Sequence, residues 1–481
     1  MPPKKYMCFD PVGHPKEFCG IFGIFGDPRS AEKTYMGLYA LQHRGQESSG
    51  IATSDGRSIF LHKGTGLVCA VFSNPHILSG LSGMSAIGHN RYSTTGLSGI
   101  MNAQPILIQF KKGQIAAAHN GNLVNAFHLR KFMEETGSIF QTTSDSEIVL
   151  HLIARSTESS VEEMILDALS RLDGAYCFIF LTPSKLIAAR DPYGFRPLCL
   201  GRAGNAFIIA SESCALDIIN AEYIRSIEPG EVVIIDSAGI TSKKLPAAPR
   251  NAFCIFEYIY FSRPDSIIFG EKVDKARRQL GKNLAEESPC DADIVIAIPD
   301  SANTAALGYA QASGIHFEIG LIRNHYIGRT FIAPDQNERD LDVKIKFNPV
   351  SGVLRGKRVV VVDDSIVRGT TLKQLVRLIR SAGADEVHLR VGSPPVRFPC
   401  FYGIDIPSRR ELIASSCSEE EIRRHLQADS LSYLSVDGML DAVPEKHCQC
   451  TACFTGHYPT PVPENFNKKQ FSANGIKSER N

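Results

Sequence analysis

Residues 357–371 read KRVVVVDDSIVRGTT, and no other stretch limits so tightly how the chain can fold. The valines at 359–362 form a continuous apolar, β-branched run, which suits a strand covered on both faces inside a parallel sheet. The chain must then leave the core at Asp363. Leu372, Leu375, Val376 and Ile379 recur at helical spacing, with Lys373, Gln374, Arg377 and Arg380 on the other face, so a helix follows the loop. Gly383 ends it, and EVHLRV at 386–391 supplies the next strand. The result is a βαβ unit whose ligand site lies at the carboxyl end of its first strand. Backbone N–H groups of 365–370 and the helix N-terminus would meet a phosphate there, and Thr370 and Thr371 add hydroxyl donors. The carboxylates of Asp363 and Asp364 would crowd a bare anion. They fit ribose hydroxyls or a bound Mg²⁺, because hard cations prefer oxygen ligands. The plainer alternative is an Asp-Asp turn closing an ordinary α/β crossover.

The rest of the chain sets the context. A length of 481 residues, 43% of them hydrophobic, allows about two to four domains with sizeable cores. A formal net charge of +1 gives no basic field for nucleic acid and no acidic excess for disorder, which points to small-molecule partners. No apolar run approaches the ~20 residues needed to cross a bilayer, and residues 1–18 lack the apolar core of a secretory signal, so a cytoplasmic location without membrane contact is expected. In that reducing setting the thirteen cysteines suggest buried thiols, a nucleophile or metal ligands before disulfides. Residues 19–235 carry short strand-like runs with Gly turns, ending in the hairpin-like IEPGEVVIID at 227–236, and 237–250 is the expected linker. Beyond about Asp265 helices alternate with strands: a helix over 273–287, a strand over 293–299, a helix after Asn303, then strands at 317–322 and 358–362. The boundaries that follow are a first domain over 19–250, an α/β domain over 251–459 and a flexible tail over 460–481, behind a leader of residues 1–18.

CGIFGIFGD at 19–27 is an alternating apolar strand that opens on a cysteine. The leader before it, with its prolines and no periodicity, looks like a segment to be removed. Removal would leave Cys19 with a free α-amine, which titrates near ~7.7–8.0 against ~10.4 for lysine and can take the thiol proton near neutral pH. The bland reading is a buried small-residue strand start. Downstream lie QHRGQESSG (42–50), HNRYSTTG (89–96), AAAHNGNL (116–123) and TTSDSE (142–147). Taken singly, Asn120-Gly121 is a hairpin turn, Arg91 a surface charge and Asp145 a helix N-cap.

Together these segments resemble the N-terminal-nucleophile glutamine amidotransferases, and 357–371 resembles the phosphoribosyl pyrophosphate signature of type I phosphoribosyltransferases. The first resemblance implies a four-layer αββα domain in which Cys19 attacks the glutamine carboxamide. The Asn120 side chain and the Gly121 N–H would hold the oxyanion. Arg91 would grip the glutamine α-carboxylate and Asp145 its α-amino group, with Arg44 and Gly45 supporting the nucleophile turn. The second implies that Asp363, Asp364, Ser365, Arg368, Gly369, Thr370 and Thr371 bind phosphoribosyl pyrophosphate. A glutaminase followed by such a domain is similar to the glutamine phosphoribosylpyrophosphate amidotransferase family, whose members make phosphoribosylamine at the committed step of purine synthesis. FEYIYFSRPDS (256–266), RNHYIGRTFI (323–332) and IPDSANTAAL (298–307) resemble its interdomain, flexible-loop and pyrophosphate-loop segments. By that resemblance Ser301 joins Asp363 and Asp364 as a Mg²⁺ contact, Arg323 and Arg329 lie near the leaving pyrophosphate, and Tyr258 lines an ammonia passage. Glutamine, phosphoribosyl pyrophosphate and purine nucleotide inhibitors are the implied partners, and a homo-oligomer, a tetramer, the implied assembly. Rival readings are another amidotransferase, such as a hexosamine or asparagine synthase, and a regulator that senses phosphoribosyl pyrophosphate.

HCQCTACF at 447–454 contains a Cys-x-x-Cys that alone is ambiguous among zinc, iron–sulfur and redox use. Cys254 and Cys400 stand at positions resembling those of iron–sulfur members of the family. With Cys450 and Cys453 they are the implied ligands of a structural [4Fe–4S] cluster. Spacing leaves zinc open, and Cys448 is an extra thiol.

Overall fold

In the computed structural model the described residues are 19–92, 99–324, 345–406 and 408–462. The leader, positions 93–96 of the HNRYSTTG motif, positions 325–332 of the flexible-loop motif with Arg329, and the tail beyond residue 462 lie outside them.

The first half is two antiparallel sheets face to face. In the seven-stranded sheet the Gly20–Phe25 strand is central, hydrogen-bonded to Ala206–Ala210 on one side and Ser85–Arg91 on the other. The six-stranded sheet holds Gly113–Leu123 against Gly174–Leu181. Alternation decides what fills the gap between the sheets: Ile21, Ile87, Ala118, Ile179 and Val233 point inward and share one core. Phe22, Ile24 and Ala86 point the other way, under the helix Ser30–Ala40. Phe178, Phe180 and Val232 likewise meet the helices Ser146–Arg155 and Val161–Ser170. The order is therefore helix, sheet, sheet, helix, as expected.

The second half is a five-stranded parallel sheet, with Arg358–Asp363 at its centre between Ile294–Ala297 and Glu386–Val391. The valine run explains itself here. Val360 and Val362 face the helices Val273–Glu287 and Asn303–Ser313, while Val359 and Val361 face Thr370–Ser381, and all four are fully buried. At ~1.5–3 kcal/mol per buried aliphatic side chain, these residues make this strand the most firmly fixed support available to the loop after it.

Three features differ from the sequence reading. Residues 239–244, expected in the linker, form the strand Gly239–Lys244, which pairs with Glu231–Asp236. It is a sheet edge with a largely exposed face, so its Ser/Lys composition satisfies solvent and hides the strand. The stretch 317–322 is two elements. His316–Phe317 joins the main sheet, whereas Leu321–Arg323 turns away to pair with Phe347–Pro349. Thr460, assigned to the flexible tail, is buried, and its N–H donates to the Tyr402 hydroxyl at 3.1 Å.

The halves share one core. Val124, Ala175 and Phe195 of the first pack with Ile255, Phe256 and Tyr402 of the second. Glu257–Phe261, a π-helix, lies at this seam with its Glu257 carboxylate fully buried.

Candidate active site

Gly20 pairs with Asn90, which sets Cys19 beside Arg91 and Tyr92. The Cys19 thiol donates to the Tyr92 carbonyl at 3.6 Å. Burial pushes this thiol up to about 11; the Tyr92 contact and the Arg91 charge oppose that, and Asp145 and Glu47 add to it. Three predicted site residues are thus brought together, with Glu47 added. Arg91 is buried, with Nη1 3.7 Å from a Glu47 carboxylate oxygen. Asp145 precedes the Ser146–Arg155 helix, but its side chain does not cap it. Instead Oδ2 accepts the Leu123 N–H at 3.0 Å, tying it to the end of the Gly113–Leu123 strand.

That strand carries Asn120 and Gly121 in mid-ladder, opposite Cys177 and Tyr176, so the pair is no hairpin turn. Both polar atoms of the Asn120 amide are buried without a hydrogen-bond partner. Leaving such a group unpaired costs about 1–3 kcal/mol, an expense that makes sense where a ligand supplies the partner. Gly121 has φ +151°, and a Cβ there would lie 2.0 Å from the Ala175 carbonyl oxygen, so only glycine fits.

Arg44, expected at the nucleophile turn, is tied to two carboxylates. It is fully buried, with Nε on Glu212 and Nη2 2.5 Å from Glu257. Burial disfavours its charge, yet Glu212 and Glu257 hold it protonated, above the ordinary range. Glu257 also accepts from Arg196 at 3.3 Å. Sequence reasoning missed Glu212, Arg196 and the role of Glu257. The available signal was a lone carboxylate within the aromatic run FEYIYF, which demands a buried counter-charge.

In the second half the chain leaves the sheet at Asp363, and the helix Thr370–Ser381 begins after Gly369, whose φ is +74°. Asp364 accepts the Ser365 hydroxyl at 2.7 Å and the Ser301 hydroxyl on its other oxygen, while its N–H donates to Asp363. Ser301 is thus brought beside Asp364. Arg323 Nη1 lies 3.2 Å from Asp300, next to Ser301. Asp363, Ser365, Gly369 and Thr371 line a recess over the helix start. Thr370 is exposed, and the exposed Arg368 is paired with Glu411 at 2.5 Å. The buried Arg277 bonds the Tyr258 and Ser262 carbonyls at 2.7 and 2.8 Å. Burial lowers its guanidinium to about 10 against the pull of Asp364.

The four cysteines lie within electrostatic reach of one another. Phe253–Cys254 and Gln449–Cys450 pair in parallel, with Cys254 opposite Cys450. All four are buried free thiols. Burial raises Cys254 to about 12 and Cys453 well above its usual range, and in each case the Cys400 charge adds to the rise. Tyr402 N–H donates to Cys400 Sγ at 3.3 Å. Among the described residues no three His, Cys, Asp or Glu side chains form a group suited to one metal ion. Cys448 stands apart, under the influence of Glu445 and Arg250.

Two facing antiparallel sheets that bring Gly20–Phe25 opposite Gly113–Leu123, fused to a parallel sheet with an acidic loop at a strand end, have the architecture of a glutamine amidotransferase joined to a phosphoribosyltransferase. Family models described as glutamine amidotransferase domain and phosphoribosyl transferase domain match residues 89–217 and 279–391. An amidophosphoribosyltransferase of Bacillus subtilis is 51% identical over 93% of this chain and 95% of its own length, and one of Methanocaldococcus jannaschii is 50% identical over 94% and 99%. A solved glutamine phosphoribosylpyrophosphate amidotransferase from B. subtilis, complexed with ADP and GMP, superposes with a TM-score of 0.89 at 50% identity, covering 93% of this chain and 99% of that one. The chain belongs to the amidophosphoribosyltransferase family. It is an enzyme with glutamine and phosphoribosyl pyrophosphate as substrates, and the regulator reading is set aside.

Proposed function

We propose that Cys19, freed at its α-amine by removal of residues 1–18, hydrolyses glutamine, and that the ammonia makes phosphoribosylamine for purine synthesis. The Cys19 sulfur bonds to the carboxamide carbon, the C–N bond breaks, ammonia leaves, and water hydrolyses the thioester to glutamate. Ammonia nitrogen then bonds to the ribose anomeric carbon as the bond to pyrophosphate breaks. The observation that carries this reading is the buried, unpartnered Asn120 amide, a donor held ready for an oxyanion. Arg91 and Asp145, both electrically linked to the thiol, grip the two ends of the glutamine backbone. The buried seam around Ile255, Phe256 and Tyr258 supports a passage that keeps ammonia unprotonated.

Ser301, Asp363 and Asp364 would hold Mg²⁺; their oxygens suit an ion that binds through one or two carboxylates together with substrate phosphates. When bound it would neutralise charge on the departing pyrophosphate. Purified protein should release pyrophosphate from phosphoribosyl pyrophosphate only with glutamine or ammonia present. Asp364→Asn should slow both reactions by on the order of 10²-fold. Full ammonia-supported turnover in that variant would remove the carboxylate from the site.

Cys254, Cys400, Cys450 and Cys453 would hold a [4Fe–4S] cluster. The burial of all four thiols and the electrostatic influence of Cys400, Cys450 and Cys254 on Cys453 support this reading. When bound the cluster would cross-link three distant segments. Anaerobically purified protein should contain iron and acid-labile sulfide in equal amounts, lost in Cys254→Ser. One zinc per chain with no iron would rule the cluster out. Inhibition by purine nucleotides belongs to the same reading and is supported by the ADP and GMP complex of the B. subtilis relative. A tetrameric assembly and a cytoplasmic location rest on the sequence reading.

A further inference from the structure

We propose that residues 401–403 of the phosphoribosyl half are a positioning element for the oxyanion strand of the glutaminase half, acting through Gly121. The inference rests on the assignment of Asn120 and Gly121 as oxyanion donors. A glycine lacks the Cβ that restricts φ and ψ, so the peptide orientation on either side of it depends on what packs against it. On one side of Gly121 lies the Ala175 strand. On the other lies Gly403, at φ +100°, where an added Cβ would stand 3.1 Å from the Gly121 carbonyl carbon and 3.3 Å from its oxygen.

The segment that carries Gly403 is held to the glutaminase half at each step. Asn122, one residue past the donor, gives its Nδ2–H to the Phe401 carbonyl at 2.8 Å. Arg196 Nη2 donates to the Tyr402 carbonyl at 2.5 Å. The Tyr402 ring stacks on Phe195, with centroids 4.2 Å apart and planes 19° from parallel. The Gly121–Asn122 peptide, which directly follows the donor N–H, is thus held between its own sheet and a loop contributed by the other domain. Asn122 and Gly403 touch no reacting atom in this scheme; they set where Gly121 points.

The test compares glutamine hydrolysis with ammonia-supported synthesis in Gly403→Ala, Asn122→Ala and Asn120→Ala. Because an aiming error of an ångström or less is costly, Gly403→Ala should lower the kcat of glutamine hydrolysis by about 10- to 10²-fold, with KM for glutamine and ammonia-supported turnover unchanged. Asn122→Ala should move in the same direction, and it carries the prediction alone if Gly403→Ala does not fold. Equal losses in both reactions, or a rise in KM alone, would overturn the positioning role. If Asn120→Ala leaves hydrolysis intact, the oxyanion assignment itself fails. If Asn120→Ala slows hydrolysis while the other two variants do not, the positioning role alone is wrong.

Discussion

Cys19→Ala should lose glutamine-supported pyrophosphate release by roughly 10⁴-fold or more, since removing a nucleophile takes the whole covalent route with it. Ammonia-supported release should persist, because Ser301, Asp363 and Asp364 sit in loops at the strand ends of a separate sheet. The same logic predicts where the active protein begins. Inside a peptide bond the half-buried Cys19 thiol is raised by desolvation to about 11, so almost none of it is thiolate at neutral pH and no α-amine is present to take its proton. N-terminal sequencing of active protein should therefore start at Cys19. Active protein that retains the leader, or a variant that keeps glutamine-supported turnover, would sink the assignment.

Glu257→Ala should be the most destabilising single change at the seam, costing about 3–5 kcal/mol, because it leaves buried cations without their shared carboxylate. Arg44 and Arg196 are both essentially sealed from solvent. By contrast Glu163→Ala, which breaks the half-exposed pair with Lys243, should cost no more than about 1 kcal/mol. Denaturant midpoints of the two variants measure the difference, and similar values would mean that the buried pairs add nothing beyond surface ones. Acid sensitivity follows from the neighbouring carboxylate. Burial opposes ionisation of Glu212, yet Arg44 and then His43 hold it well below the usual carboxylate range. Its folded pKa is depressed, so its contribution is complete above the unfolded value of ~4.3 and is lost as pH falls through the folded value. Glu212→Gln should accordingly lag the parent most near neutral pH and close the gap in strong acid.

What could be read in the sequence was what the chain writes contiguously. The acidic loop after the valine run, the helix after it and the strand Gly20–Phe25 behind Cys19 are local, and each was legible from periodicity and side-chain chemistry. The convergence of Cys254 with Cys450 was legible only through resemblance, since a register partner so far along the chain leaves no local trace. The pairing of Arg44 with Glu257 was opaque for the same reason. A single arginine in a polar turn does not reveal that its counter-charge lies in the other domain. The edge strand Gly239–Lys244 was hidden because solvent, not core, chose its side chains.

The common core of the two halves has an evolutionary corollary. Val124, Ala175 and Phe195 find their packing partners across the seam, so the glutaminase half is no interchangeable cassette. A new acceptor domain would need a matching apolar surface and a carboxylate in the place of Glu257. Expressed alone, the glutaminase half would bare this apolar face and leave Arg44 and Arg196 without Glu257.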